Sequence, residues 1–216
     1  MSRDSQWQAF VDRLAQAEPG QHSYNEYAYG DDNNAIRRAN LLRYLGRMAE
    51  LHPPTLLVME APGYRGCRLT GVPVTSRKIL LEGVPGLDIF GADRGYENTT
   101  DAGFERIYGE QSATIVWGTL GEIGRPVFIW NAFPFHPHQP GNPLSNRRPR
   151  KPETLLGAAF LRDVIEKYSF ERIIAGGNVA HETLTALGID IQKVRHPAQG
   201  GKNDFVAGLK AILPKG

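Results

Sequence analysis

Three short runs in this sequence, the first two apolar, each lead to a side chain able to do chemistry. Thr55-Leu56-Leu57-Val58-Met59 ends in Glu60, followed by Ala61-Pro62-Gly63-Tyr64. Phe128-Ile129-Trp130 ends in Asn131, followed by Ala132-Phe133-Pro134, and Val194-Arg195 leads to His196-Pro197-Ala198. A carboxylate, an amide and an imidazole suit the hydrolysis of the bond between a sugar and a pyrimidine base. That reaction passes through an oxocarbenium-like sugar, so Glu60 can orient the attacking water and stabilise the developing positive charge. The base leaves as an anion with charge on a carbonyl oxygen, which a donor such as His196 can hold. Asn131 offers a donor and an acceptor side by side, a pattern that can read the edge of uracil and reject cytosine.

For these groups to meet, the runs must be strands delivering their ends to one sheet edge. A continuously apolar run closed by a Pro-Gly turn reads as a parallel strand buried on both faces. Around the runs, Trp7, Phe10, Val11 and Leu14 recur at helical spacing, and Ile36, Leu41, Leu42, Leu45 and Met48 predict a second helix ending near His52-Pro53-Pro54. Ser76 caps a short helix through Ile79, Leu80 and Leu81 that Gly83 stops. Gly86 to Ala113 is Gly-rich and shows no period. Further on, a helix from Glu153 to Tyr168, a strand from Arg172 to Ala175, a helix from Val179 to Leu187, a strand from Ile191 to Arg195 and a helix from Asp204 to Leu213 are expected. Strands separated by helices predict an α/β fold: a three-layer α/β/α sandwich with a central, mainly parallel sheet of about four strands, binding its ligand at the carboxyl edge.

Composition bounds the function classes. The 216 residues suffice for one well-covered domain, and no linker or repeat interrupts them, so residues 1–216 read as a single domain. The start, Met1-Ser2-Arg3-Asp4-Ser5-Gln6, lacks a basic-then-apolar signal and no run approaches a membrane span; a soluble cytoplasmic protein, expected to be a monomer, follows. One cysteine excludes an intramolecular disulfide and a Cys-rich zinc site. A net charge of +2 does not by itself announce nucleic acid. Locally, Arg147, Arg148, Arg150 and Lys151 cluster in a Pro-rich loop where phosphates can be contacted. Other features have plainer readings: His136 and His138 flank a proline at a spacing too weak for a metal pair, Gly176-Gly177-Asn178 marks a strand-to-helix turn without Gly-x-Gly-x-x-Gly or P-loop spacing, and Tyr24, Tyr27 and Tyr29 receive no role.

Taken singly these segments are common turns; taken in order they resemble the uracil-DNA glycosylase superfamily over roughly residues 55 to 213. Glu60-Ala61-Pro62-Gly63 resembles the Glu-Ala-Pro-Gly loop of its iron–sulfur branch, and Leu69-Thr70-Gly71-Val72-Pro73 the Gly-x-Pro segment that follows there. Asn146-Arg147-Arg148-Pro149 with Glu153 is similar to the branch's Asn-Arg-x-Pro stretch, and His196-Pro197-Ala198 stands where His-Pro-Ser is usual. The resemblance implies a monofunctional enzyme that flips uracil out of DNA, hydrolyses its glycosidic bond and releases free uracil. Glu60 and His196 would be catalytic, and no lysine stands in these loops to form a Schiff base. Around the base it implies Asn131, Gly63 and Tyr64, the last placed to exclude the 5-methyl group of thymine. It implies Pro197, Gly200 and Gly201 as a DNA-contacting loop, although one without an apolar wedge.

Two departures stand out. The family's aromatic stacking residue after Gly-x-Pro is Val74 here, so Tyr64, Phe133 or Phe135 must supply the ring, with Phe133 preferred. The branch's cluster needs four cysteines and this sequence has only Cys67, so no cofactor is expected. The alternatives are a damage-sensing relative with weakened catalysis, suggested by Val74, and a nucleotide-binding α/β enzyme using Gly176-Gly177.

Overall fold

The computed structural model describes residues 3–214; Met1, Ser2, Lys215 and Gly216, at the ends of the expected domain, lie outside it. In chain order the elements are α1 (Arg3–Gln16), β1 (Ser23–Tyr24), α2 (Asp32–Leu51), β2 (Thr55–Met59), α3 (Cys67–Thr70), α4 (Arg77–Glu82) and α5 (Gln111–Ile123). They continue with β3 (Phe128–Asn131), β4 (His136–Pro137), α6 (Lys151–Lys167), β5 (Arg172–Gly176), α7 (Asn178–Ala186), β6 (Gln192–Val194) and α8 (Lys202–Ile212). Among the described residues no helix is long and apolar enough to cross a membrane.

The main sheet is parallel throughout, in the order β3-β2-β5-β6. From β2 the chain steps outward to β3, then returns across β2 to β5 and on to β6. Right-handed crossovers put helices of opposite step on opposite faces. The contacts agree: α6 packs on α7, whereas α5 packs on α8. The result is a three-layer α/β/α sandwich whose topological reversal, the usual ligand crevice, lies at the carboxyl end of β2. β2 is buried along its whole length. Trp130 of β3 meets Phe10 of α1, and Phe10 meets Phe160 of α6 edge-on.

Local chemistry explains the ends. The Asp31 carboxylate accepts from the Asn34 amide to start α2, and His52 closes it in a left-handed turn before Pro53. Ser76 caps α4 and Gly83 stops it. Helix α5 falls in and beyond the stretch that shows no period. It begins on the Glu110 carboxylate, which accepts from the amides of Ser112 and Ala113. Its Thr114-Ile115-Val116-Trp117 run is β-branched and aromatic, which favours a strand locally. Tertiary packing overrides that preference. Ala113, Val116, Trp117 and Leu120 are buried, and a Cβ on Gly121 would come within 2.6 Å of the Pro85 carbonyl, so this helix seats the 84–87 turn.

Candidate active site

The row of sheet ends brings the three chemical side chains onto one edge. Met59 is paired with Asn131 across β2 and β3. The ladder runs one step further, with the Ala132 amide donating to Met59 at 2.8 Å and the Phe133 amide to Glu60 at 3.1 Å. On the other side of β2, Val58 pairs with Ala175, Gly176 pairs with Val194, and the Gly177 amide donates to Val194 at 3.0 Å. The edge therefore reads Asn131, Glu60, Gly177, then His196 just beyond β6. The two glycines make room: a Cβ on Gly176 would lie 2.2 Å from Met59 Sδ, and one on Gly177 would lie 3.0 Å from His196 Cβ.

The Glu60 loop is braced from behind. His136 Nδ1 lies 2.8 Å from the Pro62 carbonyl and Nε2 lies 3.2 Å from that of Pro143. Burial pulls the His136 pKa down to about 4, so the ring is neutral and its single hydrogen belongs on the closer, Pro62 contact. Its backbone N–H donates to the fully buried Glu26, whose pKa burial raises to about 8 against the opposing pull of Arg37. Asn146 Oδ1 accepts from the Tyr64 amide at 3.0 Å. The Pro62 carbonyl thus accepts from His136 Nδ1, and among the described residues no group of three or more His, Cys, Asp or Glu side chains could hold a metal ion. Cys67 is buried against Tyr27 and Glu26, and one thiol cannot hold the four-thiolate cluster of the iron–sulfur branch.

Electrostatics suit the two groups to different tasks. Burial raises the pKa of half-buried Glu60; Arg148 opposes that and Glu182 reinforces it. Burial, helped by Arg195, lowers that of His196, so the imidazole is neutral. The Ala198 amide donates to His196 Nδ1 at 3.2 Å, which leaves the hydrogen on Nε2. The edge therefore presents a carboxylate whose pKa burial raises and a neutral imidazole whose hydrogen lies on Nε2.

Asn131 is 1% exposed, and its Oδ1 has no hydrogen-bond partner among the described residues. A buried acceptor without a donor is uncommon and leaves a lone pair open to a water or a ligand N–H. Tyr64 is half-buried, with Phe104 beside it at 6.4 Å, and Gly63 sits beside the Asn146 amide. Phe133, the expected stacking ring, is instead fully buried, 5.5 Å from Phe135, which in turn packs on Tyr27 and Phe160. Val74 has φ +52, and its carbonyl accepts from Trp117 Nε1 at 2.8 Å. A β-branched residue there is strained by about 1–3 kcal/mol, and such strain gathers at functional sites.

The two loops expected to meet DNA also sort by burial. Pro197 and Gly201 are buried, and a Cβ on Gly201 would sit 2.0 Å from the His196 carbonyl; only Gly200 of the three is exposed. Gly201 thus packs the catalytic-type loop on itself. Arg147 also departs from expectation. Its guanidinium forks onto Glu153 at 2.6 and 2.7 Å, with further bonds to the carbonyls of His138 and His22 at 2.8 Å each, and the two side chains are 7% and 9% exposed. It ties the His22–Ser23 segment to the start of α6 and is not free for phosphate. Arg148, Arg150 and Lys151 are exposed, Arg148 in an open pair with Glu182.

This pair predicts a stability effect. Burial alone would raise the Glu153 pKa, yet Arg147, the Arg150 amide and Ser23 hold it at about 2. A depressed carboxyl stabilises the fold above its unfolded value of about 4.5 and loses that contribution as pH falls toward 2, a swing of about 3 kcal/mol. Arg147→Ala should cost about 3–5 kcal/mol in urea unfolding at neutral pH, because Glu153 is left buried and unpaired. It should also flatten the acid limb of stability. A loss under 1 kcal/mol would return Arg147 to the solvated loop.

No family model and no curated protein matches the sequence. Among solved structures the chain is similar to the crystal structure of wild-type Pedobacter heparinus SMUG2. The two share 14% identity at a TM-score of 0.56, over 94% of this chain and 97% of that one. The likeness is one of fold and spans nearly the whole of both chains.

Proposed function

We propose that this protein is a monofunctional uracil-DNA glycosylase acting as a one-domain monomer without a cofactor. The observation that carries the reading is the edge row of Asn131, Glu60 and His196, in the fold shared with SMUG2. In this reading the base is extruded into the crevice at the end of β2, at a cost of about a few kcal/mol offset by backbone contacts. The Asn131 amide reads it: the unpartnered Oδ1 accepts from uracil N3–H and the amide N–H donates to O4. As the glycosidic bond breaks, its electrons pass into the ring, and His196 Nε2–H holds the oxygen that takes the charge. Water adds to the sugar carbon and Glu60 accepts its proton, leaving an abasic site; the uracil anion then takes up a proton from solvent as Glu60 gives its own back, which releases free uracil.

The base identity is tested on matched oligonucleotides carrying uracil, cytosine or thymine. Wild type should release uracil alone. Asn131→Asp replaces the amide donor with an acceptor, so uracil release should fall by about tenfold or more while cytosine, which presents a donor there, is released slowly. Equal release of all three bases by wild type would overturn the reading. Val74 and the buried Phe133 favour one second reading, a damage-sensing relative with weak catalysis. Tight binding to uracil-containing DNA with no base released would select it.

A further inference from the structure

Helix α6 carries two apolar faces where one suffices to dock it on the sheet. Its Gly157, Phe160, Leu161 and Val164 are buried. Leu155, Ala158 and Ala159 follow the i, i+3, i+4 spacing of a second stripe, and this one meets solvent: Leu155 is 63% exposed. The stripe walls a groove of about 640 Å³ between α6 and α7. Val179, Thr183 and Leu187 close it from the other side, and the α6 wall runs from Lys151 to Arg162, about 16 Å or three turns of helix.

The rim of this groove is charged. Arg148, Lys151 and Arg162 line it against one carboxylate, that of Glu182, which keeps its charge in the pair with Arg148. Lys151 and Arg162 form no ion pair among the described residues. Acids just outside the lining do not offset them, since Glu153 is paired with Arg147 and Asp163 with Arg13. Glu166, one turn beyond Arg162, is matched in count by Arg150, exposed at the opposite end. An apolar floor thus lies between a cation at each end. Phosphates could meet those cations, but a DNA backbone brings nothing apolar to cover Leu155. An amphipathic helix brings both, an apolar face for the floor and carboxylates for the ends.

We propose that the α6–α7 groove docks a partner protein through an acidic amphipathic helix of about three turns, its apolar side chains seated on Leu155, Ala158 and Ala159 and its carboxylates on Lys151 and Arg162. The surface goes beyond the base-excising reading and does not rest on it. Its place is informative all the same: Arg148, at the rim, also acts on Glu60, so a partner held here stands beside the catalytic edge.

The test presents wild-type protein, without DNA, to a displayed library of random peptides of about 16 residues, and keeps those that bind wild type and not Leu155→Asp. The selected peptides should be net acidic with apolar residues at helical spacing. A synthetic copy of the most enriched peptide is then titrated by fluorescence anisotropy. Leu155→Asp should weaken its binding by about tenfold or more, because a carboxylate replaces the centre of the apolar floor. Arg162→Glu should weaken it several-fold and reduce its salt dependence. Both side chains are exposed and outside the proposed chemistry, so the far-ultraviolet circular dichroism should match wild type; should Leu155→Asp fail to fold, Ala159→Asp takes its place. A library that yields no peptide dependent on Leu155 and Arg162, or only peptides that are basic or lack an apolar face, would overturn the proposal. So would a wild-type dimer that Leu155→Asp returns to monomer, since a second copy would then be the occupant. Peptide docking by a protein that releases no uracil would uphold the groove and sink only the glycosylase reading.

Discussion

Glu60→Gln should slow uracil excision by about 10²-fold or more under single turnover, with DNA affinity changed far less. The substitution keeps the volume and the hydrogen-bonding length of the side chain. It removes the charge that stabilises the cationic sugar and the base that takes the proton of water. Because burial raises the Glu60 pKa, the rate should rise with pH through a limb displaced upward from the value of a free glutamate. Its neighbours should move that limb in opposite directions. Arg148 favours the ionised form, so Arg148→Ala should shift the limb to higher pH; Glu182 disfavours it, so Glu182→Gln should shift it lower. A pH profile indifferent to both, together with wild-type excision by Glu60→Gln, would remove Glu60 from the chemistry.

His196→Ala should cost about 10²–10³-fold in the same rate, the loss expected when one donor to a developing oxyanion is removed. The ring is suited to donate as a neutral group. Its pKa is lowered by burial and by Arg195, and the Ala198 amide leaves its hydrogen on Nε2. The rate should therefore show no inflection at the ordinary histidine value, since the imidazole does not change charge there. Gly177→Ala probes the same donor without touching it. Gly177 has φ +107, and a Cβ there would press on His196 Cβ at 3.0 Å, so excision should fall while DNA binding holds. An inflection near pH 6.5 that disappears in His196→Ala would mean that the imidazolium is the working form.

What could be read from sequence followed how local each cause is. The strand ends carrying Glu60 and Asn131 were legible because an apolar run that stops at a polar residue is a contiguous pattern, and the caps Ser76 and Gly83 were legible because a cap is equally local. Helix α5 was not, since its β-branched run favours a strand locally and only its burial against the rest of the fold makes it a helix. Long-range pairing hid the rest. Phe133 looks like a free ring beside Asn131 until Phe135 and the aromatic core close over it. Arg147 looks like one cation among four, and only its fork onto Glu153 sets it apart. His136 resembles half of a metal pair; that it braces Pro62 depends on two carbonyls from distant loops. Arg65, over the rings of Tyr64 and Tyr108, joins the Glu60 loop to the segment that has no periodicity, and nothing in either segment alone announces the other.

The central claim is that the Glu60 and His196 edge hydrolyses a glycosidic bond to uracil in DNA. It is tested most directly by incubating excess wild-type protein with a single-stranded oligonucleotide carrying one uracil, then quantifying free uracil and strand integrity before and after alkali. The account predicts one uracil released per oligonucleotide, a strand intact until alkali cleaves it at the abasic site, and about 10²-fold slower release by Glu60→Gln. No free uracil from wild type, or cleavage of the strand without alkali, would contradict it.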